Sequence, residues 1–243
     1  MNGQQGLKRI GKKEVQSLLA SPDFARNLDL WRSFDARKVI NPLLSFLCST
    51  DEKLRWHAVT AAGIVTAALA DRDMESARVI LRRFLWQLND ESGGIGWGIP
   101  EAMGEALARS PVLAKEYGRL VLSFVREDEN YLEHEPLLAG ALWALARLLQ
   151  AQPKLLEESR IDLIRYARHD GALFRALALW GLRAVGDVSC LPVVATLTSD
   201  TARVRLYRHE SFQDMTVGRM AQEAISAVQA RERLTHCPEA DER

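Results

Sequence analysis

Three stretches of this chain gather the residue types that could do chemistry. The first runs Asn89 to Pro100 and reads Asn-Asp-Glu-Ser-Gly-Gly-Ile-Gly-Trp-Gly-Ile-Pro, with four glycines and one tryptophan. Glycines permit positive φ and close approach of backbone to a ligand. No strand precedes them, so neither a P-loop nor a dinucleotide fingerprint is credible. The stretch is either a shaped turn with Trp97 folded down as a plug or a functional loop. The second runs Glu127 to Pro136 and contains Glu133-His134-Glu135. It can hold a cation or present an acidic surface. One histidine with flexible neighbours falls short of the several ligands at fixed geometry that a metal needs, which favours a solvated turn. The third runs Ser199 to Thr216 and carries Arg203, Arg205, Tyr207, Arg208, His209 and Phe212. Interleaved basic and aromatic residues suit phosphate or nucleic-acid contact; the same residues can pair with acidic groups of a neighbouring segment.

No Ser-His-Asp, Cys-His or HExxH arrangement assembles from local spacing. A non-enzymatic protein without a cofactor or metal is therefore the expectation. Cys48 and Cys190 lie among apolar residues and read as core fillers. Cys237 sits in a polar tail and reads as exposed. Three scattered cysteines form no disulfide framework, which fits a reducing cytoplasm. Lysine plus arginine and aspartate plus glutamate both number 32, so the net charge is zero and a general nucleic-acid or anionic-membrane binder is disfavoured. The polar, basic start Met1 to Lys13 has no apolar run behind it, so no secretory signal is expected. The longest uncharged apolar stretch, Ala58 to Ala70, is too short to span a bilayer.

The elements that must position these stretches read as helices. Apolar residues recur at spacings of three and four, as in Leu43, Leu44, Phe46, Leu47 and in Val79, Ile80, Phe84, Leu85, Leu88. Alternating β-branched runs are missing. Each apolar helix stops at a polar, acidic break near residues 49–52, 89–92, 127–130, 169–171 and 199–200. A second, alanine-rich helix follows each break: Leu54–Ala70, Ile99–Arg109, Glu135–Gln150, Ala172–Val185 and Val217–Arg231. The breaks recur roughly every 30 to 40 residues, the period of helical solenoids. Lys12–Arg32 reads as a capping pair, with Pro22 at the first position of its second helix.

The second helices share more than helicity. Arg55-Trp56-His57-Ala58-Val59-Thr60-Ala61-Ala62-Gly63 parallels Arg175-Ala176-Leu177-Ala178-Leu179-Trp180-Gly181-Leu182. An acidic turn, an arginine, small residues and a glycine in this order resemble HEAT repeats, in the short form named after phycobilisome lyases. The resemblance covers most of Val39 to Val228 and is sharpest in the first and fourth repeats. It implies an all-α, right-handed α-α superhelix of about five helical hairpins plus an N-terminal cap. One domain is expected over 1–233, with a cap at 12–38, repeats at 39–71, 73–110, 111–151, 153–186 and 188–231, and a flexible tail at 234–243. In such a stack the first helices line one face, the second helices the other, and the turns within repeats fall on one edge.

A binding edge is expected there, formed by Trp56, His57, Trp97, Glu101, His134, Glu135, Arg203, Arg205, Arg208 and His209. Trp56 and Trp97 stand at or just before second-helix starts and can stack on a flat ligand if both face the concave surface. Trp31, Trp86, Trp143 and Trp180 read as core. Arg55 and Arg175 read as rungs of an interior ladder to acidic turn residues. The expected function is a cytoplasmic interaction scaffold with a protein partner, no membrane, and nucleic acid disfavoured by charge. The alternatives are a HEAT-like nucleic-acid or DNA-repair protein and a cofactor or pigment lyase or chaperone.

Overall fold

A computed structural model of the chain describes residues 10–88 and 96–235. Most of the glycine-rich stretch (89–95), the start (1–9), and the tail from 236, with Cys237, lie outside the described residues. The chain opens with α1 (Lys12–Ala20), a 3₁₀ turn at Phe24–Arg26, and the short α2 (Leu28–Arg32). Five helical hairpins follow: α3 (Ala36–Leu47) with α4 (Glu52–Ala70), α5 (Met74–Leu88) with α6 (Ile99–Arg109), α7 (Pro111–Ser123) with α8 (Glu135–Ala151), α9 (Arg160–Tyr166) with α10 (Ala172–Val185), and α11 (Leu191–Thr196) with α12 (Val217–Thr235). Between α11 and α12 stands an antiparallel hairpin, β1 (Arg203–Arg208) and β2 (Ser211–Thr216).

The second helices pack in sequence order, α4 on α6, α6 on α8, α8 on α10 and α10 on α12. This is the HEAT and armadillo-like architecture. Each inner second helix, α6, α8 and α10, is wedged between its own first helix and two neighbouring second helices, so it is buried nearly all round. In α4 every residue from His57 to Leu69 is buried. Small side chains make that possible: Ala58, Ala61, Ala62, Ala102, Ala106, Ala141 and Ala144 have no exposed surface. The first helices bury a single stripe, as α5 does with Ala77, Ile80, Leu81 and Phe84. Ion pairs link each repeat to the next: Arg37 with Asp73, Arg78 with Glu116 (2.9 Å), Arg126 with Asp162 (2.8 Å) and Arg175 with Asp200 (2.8 Å). Arg175 is thus the ladder rung expected of it. Among the described residues no helix is long and apolar enough to cross a membrane.

Four features of the fold differ from what the sequence suggests. Trp86 is 71% exposed. It lies two residues, about 200° of helix, beyond the buried Phe84, and so faces away from the stripe. Cys48 is exposed because α3 ends at Leu47 and the chain turns away there. Pro22 does not start a helix; Ser21 to Asp23 turn into the 3₁₀ segment, and Asn27 at φ −111° separates it from α2. The stretch 203–216, read as a long turn, is a β-hairpin. Its base is tied where Val217 N–H donates to Ala202 O (3.0 Å) and Gly218 N–H to Asp200 O (2.8 Å).

Candidate functional site

The hairpin leans back over the row of second helices and reaches the first repeat. The Tyr207 ring stacks on Trp56 at 4.9 Å between centroids and 19° between planes. The Tyr207 hydroxyl lies 3.3 Å from Thr60 Oγ1, and Trp143 Nε1–H donates to the Tyr207 carbonyl at 2.9 Å. The turn is held separately: Arg109 donates to Glu210 at 3.0 Å. Trp56 also packs on Trp143 (4.8 Å), and Trp143 on Trp180 (5.7 Å), so aromatic rings run along the second-helix face beneath the hairpin.

Beside this cover a pocket of about 210 Å³ remains open, at the starts of α4, α6, α8 and α10. Its walls are Trp56, Trp97, Trp143, Leu206 and Tyr207; Leu173 and Leu177 close one side, and Arg55 and Glu101 supply charge. Local structure explains the placement. Asp51 caps α4 by accepting from Leu54 N–H (3.0 Å), which starts the helix one turn before Trp56. Gly98 adopts φ +70° immediately before α6, a left-handed conformation that favours glycine. That turn sets Trp97 at the pocket mouth and Glu101 in the first turn of α6.

Glu101 is the chemically unusual group. Among the described residues only three buried side-chain nitrogen or oxygen atoms lack a hydrogen-bond partner: Thr66 Oγ1, Glu101 Oε2 and Trp180 Nε1. Glu101 alone of these can carry charge. Its carboxyl is pressed against α8 where Gly140 leaves room; a Cβ at position 140 would lie 2.7 Å from Oε2. Burial pushes the Glu101 carboxyl up to about 7, against the opposing pull of its own backbone N–H and of Arg55. One turn later Glu105 is buried to 3% exposure but fully served: Arg109 Nε donates to Oε1 (2.6 Å) and Arg147 Nε to Oε2 (2.7 Å). The pocket is therefore lined by a carboxyl group whose Oε2 has no hydrogen-bond partner among the described residues.

The expected edge residues divide. Trp56, Trp97, Glu101 and Arg205 line the pocket. His134, exposed at the start of α8, packs its ring edge-on against Trp97 at 5.4 Å, and Glu135 follows it, exposed, as the first residue of α8. His57 points into the core, where Nδ1–H donates to Leu19 O (2.6 Å) and the ring stacks on Phe24 at 3.9 Å. Arg208 is buried against Gln213 (2.8 Å) and Glu223 (3.4 Å). Arg205 lies over Phe212 and pairs with Glu52 (3.4 Å). Arg203 and His209 are exposed on the hairpin away from the pocket lining. Arg55 lines the pocket and makes no ion pair among the described residues. No group of three metal-ligating side chains occurs among the described residues.

Trp143 is core, as expected, at 4% exposure, and its part in the pocket wall went unseen in the sequence, as did Gly140, whose missing side chain seats Glu101, and Leu206. Trp143 carries a readable sign, since it lies seven residues after Pro136 on the face that Ala139 and Gly140 share. Leu206 could be found only by recognising the strand.

No protein-family model matches the chain. An uncharacterized protein of Archaeoglobus fulgidus is 27% identical over 145 residues, which is 60% of this chain and 73% of that one. Similar solved structures include the designed armadillo repeat protein YIII(Dq.V1)4CPAF in complex with peptide (KR)4, with 17% identity, coverage of 90% of this chain and 100% of that one, and a TM-score of 0.49. The designed armadillo repeat protein YIII(Dq)4CqI has 18% identity, the same coverage and a TM-score of 0.47. The archaeal HEAT-like repeats protein from Thermococcus onnurineus NA1 has 13% identity, coverage of 92% of this chain and 82% of that one, and a TM-score of 0.38.

Proposed function

We propose that this chain is a non-enzymatic interaction scaffold that grips a projecting group of a protein partner in the tryptophan-lined pocket at the second-helix starts. The observation that carries this reading is Glu101, which lines a pocket of aromatic walls and whose buried Oε2 has no partner among the described residues. Binding sites of this kind combine apolar walls with a few convergent polar groups. Trp97, His134 and Leu173 continue the site onto the surface and suit the surrounding contact with a partner. The remainder of the second-helix face beneath Tyr207 is covered by the chain's own hairpin.

A protein partner is favoured over nucleic acid because two of the three arginines of the hairpin are engaged within the chain. Arg208 is buried with Gln213 and Glu223, and Arg205 pairs with Glu52. Covalent attachment chemistry at Cys190 is disfavoured, since burial pushes its thiol up and away from the thiolate. A photocrosslinking amino acid at Leu173, 39% exposed on the pocket rim, should capture a discrete protein partner in cells of the source organism. The same group at Val112, on the outer face of α7, should not, and Trp97→Ala should abolish capture at 173. Equal capture at both positions, or capture indifferent to Trp97→Ala, defeats the reading.

A further inference from the structure

We infer that the group this pocket is built to receive is a primary ammonium, as on a lysine side chain of the partner. The inference rests on the scaffold reading and specifies the chemistry of its site.

The comparison of Glu101 with Glu105 carries the argument. Both carboxylates project from α6 toward the second-helix row, one helical turn apart. At Glu105 the chain supplies its own cations, with Arg109 and Arg147 each donating to a different oxygen. At Glu101 Oε2 no donor is supplied among the described residues, and the Glu101 side chain lines the pocket. A buried carboxylate without a donor is costly, and a charged donor is the group that relieves the most of that cost.

The other walls agree. Trp56, Trp97, Trp143 and Tyr207 are aromatic, and aromatic faces attract cations most strongly where water is excluded. A thin alkyl stem passes between such rings with its polar tip at the far end, as lysine does. The remaining charged and titratable groups around Glu101 are accounted for on each packed element. On α4, Glu52 is paired with Arg205 of β1, while Arg55 stands near Glu101 as a Coulombic neighbour only. On β1, the Tyr207 phenol is held by Thr60 and pushed up by burial, so it stays protonated. At the start of α8, His134 packs against Trp97. Of the two arginines that line the pocket, Arg205 is paired with Glu52 and Arg55 has no ion-pair partner among the described residues, so removal of Arg55 should tighten binding.

The test uses the full chain and its tryptophan fluorescence. The probes are a short alanine-based peptide with one central lysine, the same peptide with N-acetyl-lysine or norleucine, and n-butylammonium as the free amine. Saturable binding of the lysine peptide is expected, at least tenfold tighter than the acetyl-lysine and norleucine peptides. n-Butylammonium should compete weakly, which separates the ammonium itself from its peptide carrier; tighter binding of the free amine than of the peptide would assign the pocket to a small amine. Affinity should rise several-fold from pH 6 to pH 8 as Glu101 ionises. Glu101→Gln should remove the preference for lysine, and Arg55→Gln should strengthen it.

Gly140→Ala, which displaces only the carboxyl end of Glu101, serves as a second variant and should weaken lysine binding. Equal affinity for lysine and norleucine, no detectable binding of any probe, or affinity that falls with rising pH would each overturn the inference. If capture at position 173 still depends on Trp97 while lysine is not preferred, the ammonium assignment fails and the scaffold reading stands. If that capture also fails, the scaffold reading falls with it.

Discussion

Glu101 and His57 set opposite pH dependences into the same helix row. The Glu101 carboxyl is pushed up to about 7 from an ordinary value of 4.5 by burial. A group whose folded value is raised contributes stability that is present below its unfolded value and lost as pH rises through the folded one. Ionising Glu101 therefore destabilises the fold between about pH 4.5 and 7. With about 1.4 kcal/mol per unit, the loss is at most about 3.5 kcal/mol. Burial lowers His57, which outweighs its bond to Leu19 O, so its contribution is full above its unfolded value of 6.5 and is lost as pH falls below it. Glu101→Gln keeps the shape and removes the charge. It should stabilise the protein by up to about 3.5 kcal/mol at pH 8 and change little at pH 4.5, as measured by urea unfolding at both pH values. Destabilisation by this substitution at pH 8 would mean that the carboxylate has a partner within the chain. Of the residues expected on the binding edge, those at helix starts were the legible ones, because a turn must end there. His57 was not: it follows Trp56 by one residue, about 100° around α4, and that rotation carries it from the pocket into the core.

At the scale of elements, the β-hairpin is the feature that local rules conceal. Two-residue hairpin turns of type I′ place both central residues at positive φ and are ordinarily Asn-Gly or Asp-Gly. Here they are His209 (φ 51°) and Glu210 (φ 57°). Each such residue costs about 1 kcal/mol, and this strain is held by the bond of Arg109 to Glu210 and by the buried Tyr207. His209→Gly should relieve its share and stabilise the protein by about 1 kcal/mol, read as a higher urea midpoint with an unchanged slope. A lower midpoint would show that the His209 side chain holds the turn. The second helices, by contrast, were legible to within a few residues: Ile99–Arg109 and Ala172–Val185 match, and α4 begins two residues before Leu54. Their alanine and leucine content favours helix, and α4 adds an acidic cap in Asp51. The strand signal was present too, since Arg203-Val204-Arg205-Leu206 alternates with a period of two. It was masked by a turn without glycine and by an expectation of uniform repeats. The Trp86 error has a similar root, because periodicity gives a stripe and only the angle from Phe84 shows which side of it a residue takes.

For the whole molecule, the hairpin changes how the stack should unfold. In a plain solenoid each repeat touches only its neighbours, and stability is a sum of repeat and nearest-neighbour terms. Terminal repeats then open first. Here the last repeat sends Tyr207 back to Trp56 and Thr60 on the first, and Glu210 to Arg109 on the second. Opening α11 and α12 must break contacts on α4, so the two ends of the stack are coupled. The intact protein should unfold in one transition, with slow amide exchange in α4 and α12 reporting a similar free energy. Tyr207→Ala removes the ring that joins them and should cost about 3 to 5 kcal/mol overall. Its further effect is the diagnostic one. Amides of α12 should exchange at least tenfold faster than those of α4, and the urea transition by fluorescence, which reports Trp56 and Trp143, should separate from that by circular dichroism. Tyr207→Phe keeps the stack on Trp56 and loses only the hydroxyl contact with Thr60, so it should cost about 1 kcal/mol and leave the transitions coincident. A uniform loss across all helices in Tyr207→Ala, with coincident transitions, would mean that neighbour contacts alone couple the repeats. The pocket would then sit on a plain solenoid, and its hairpin wall would contribute to the site without fastening the stack.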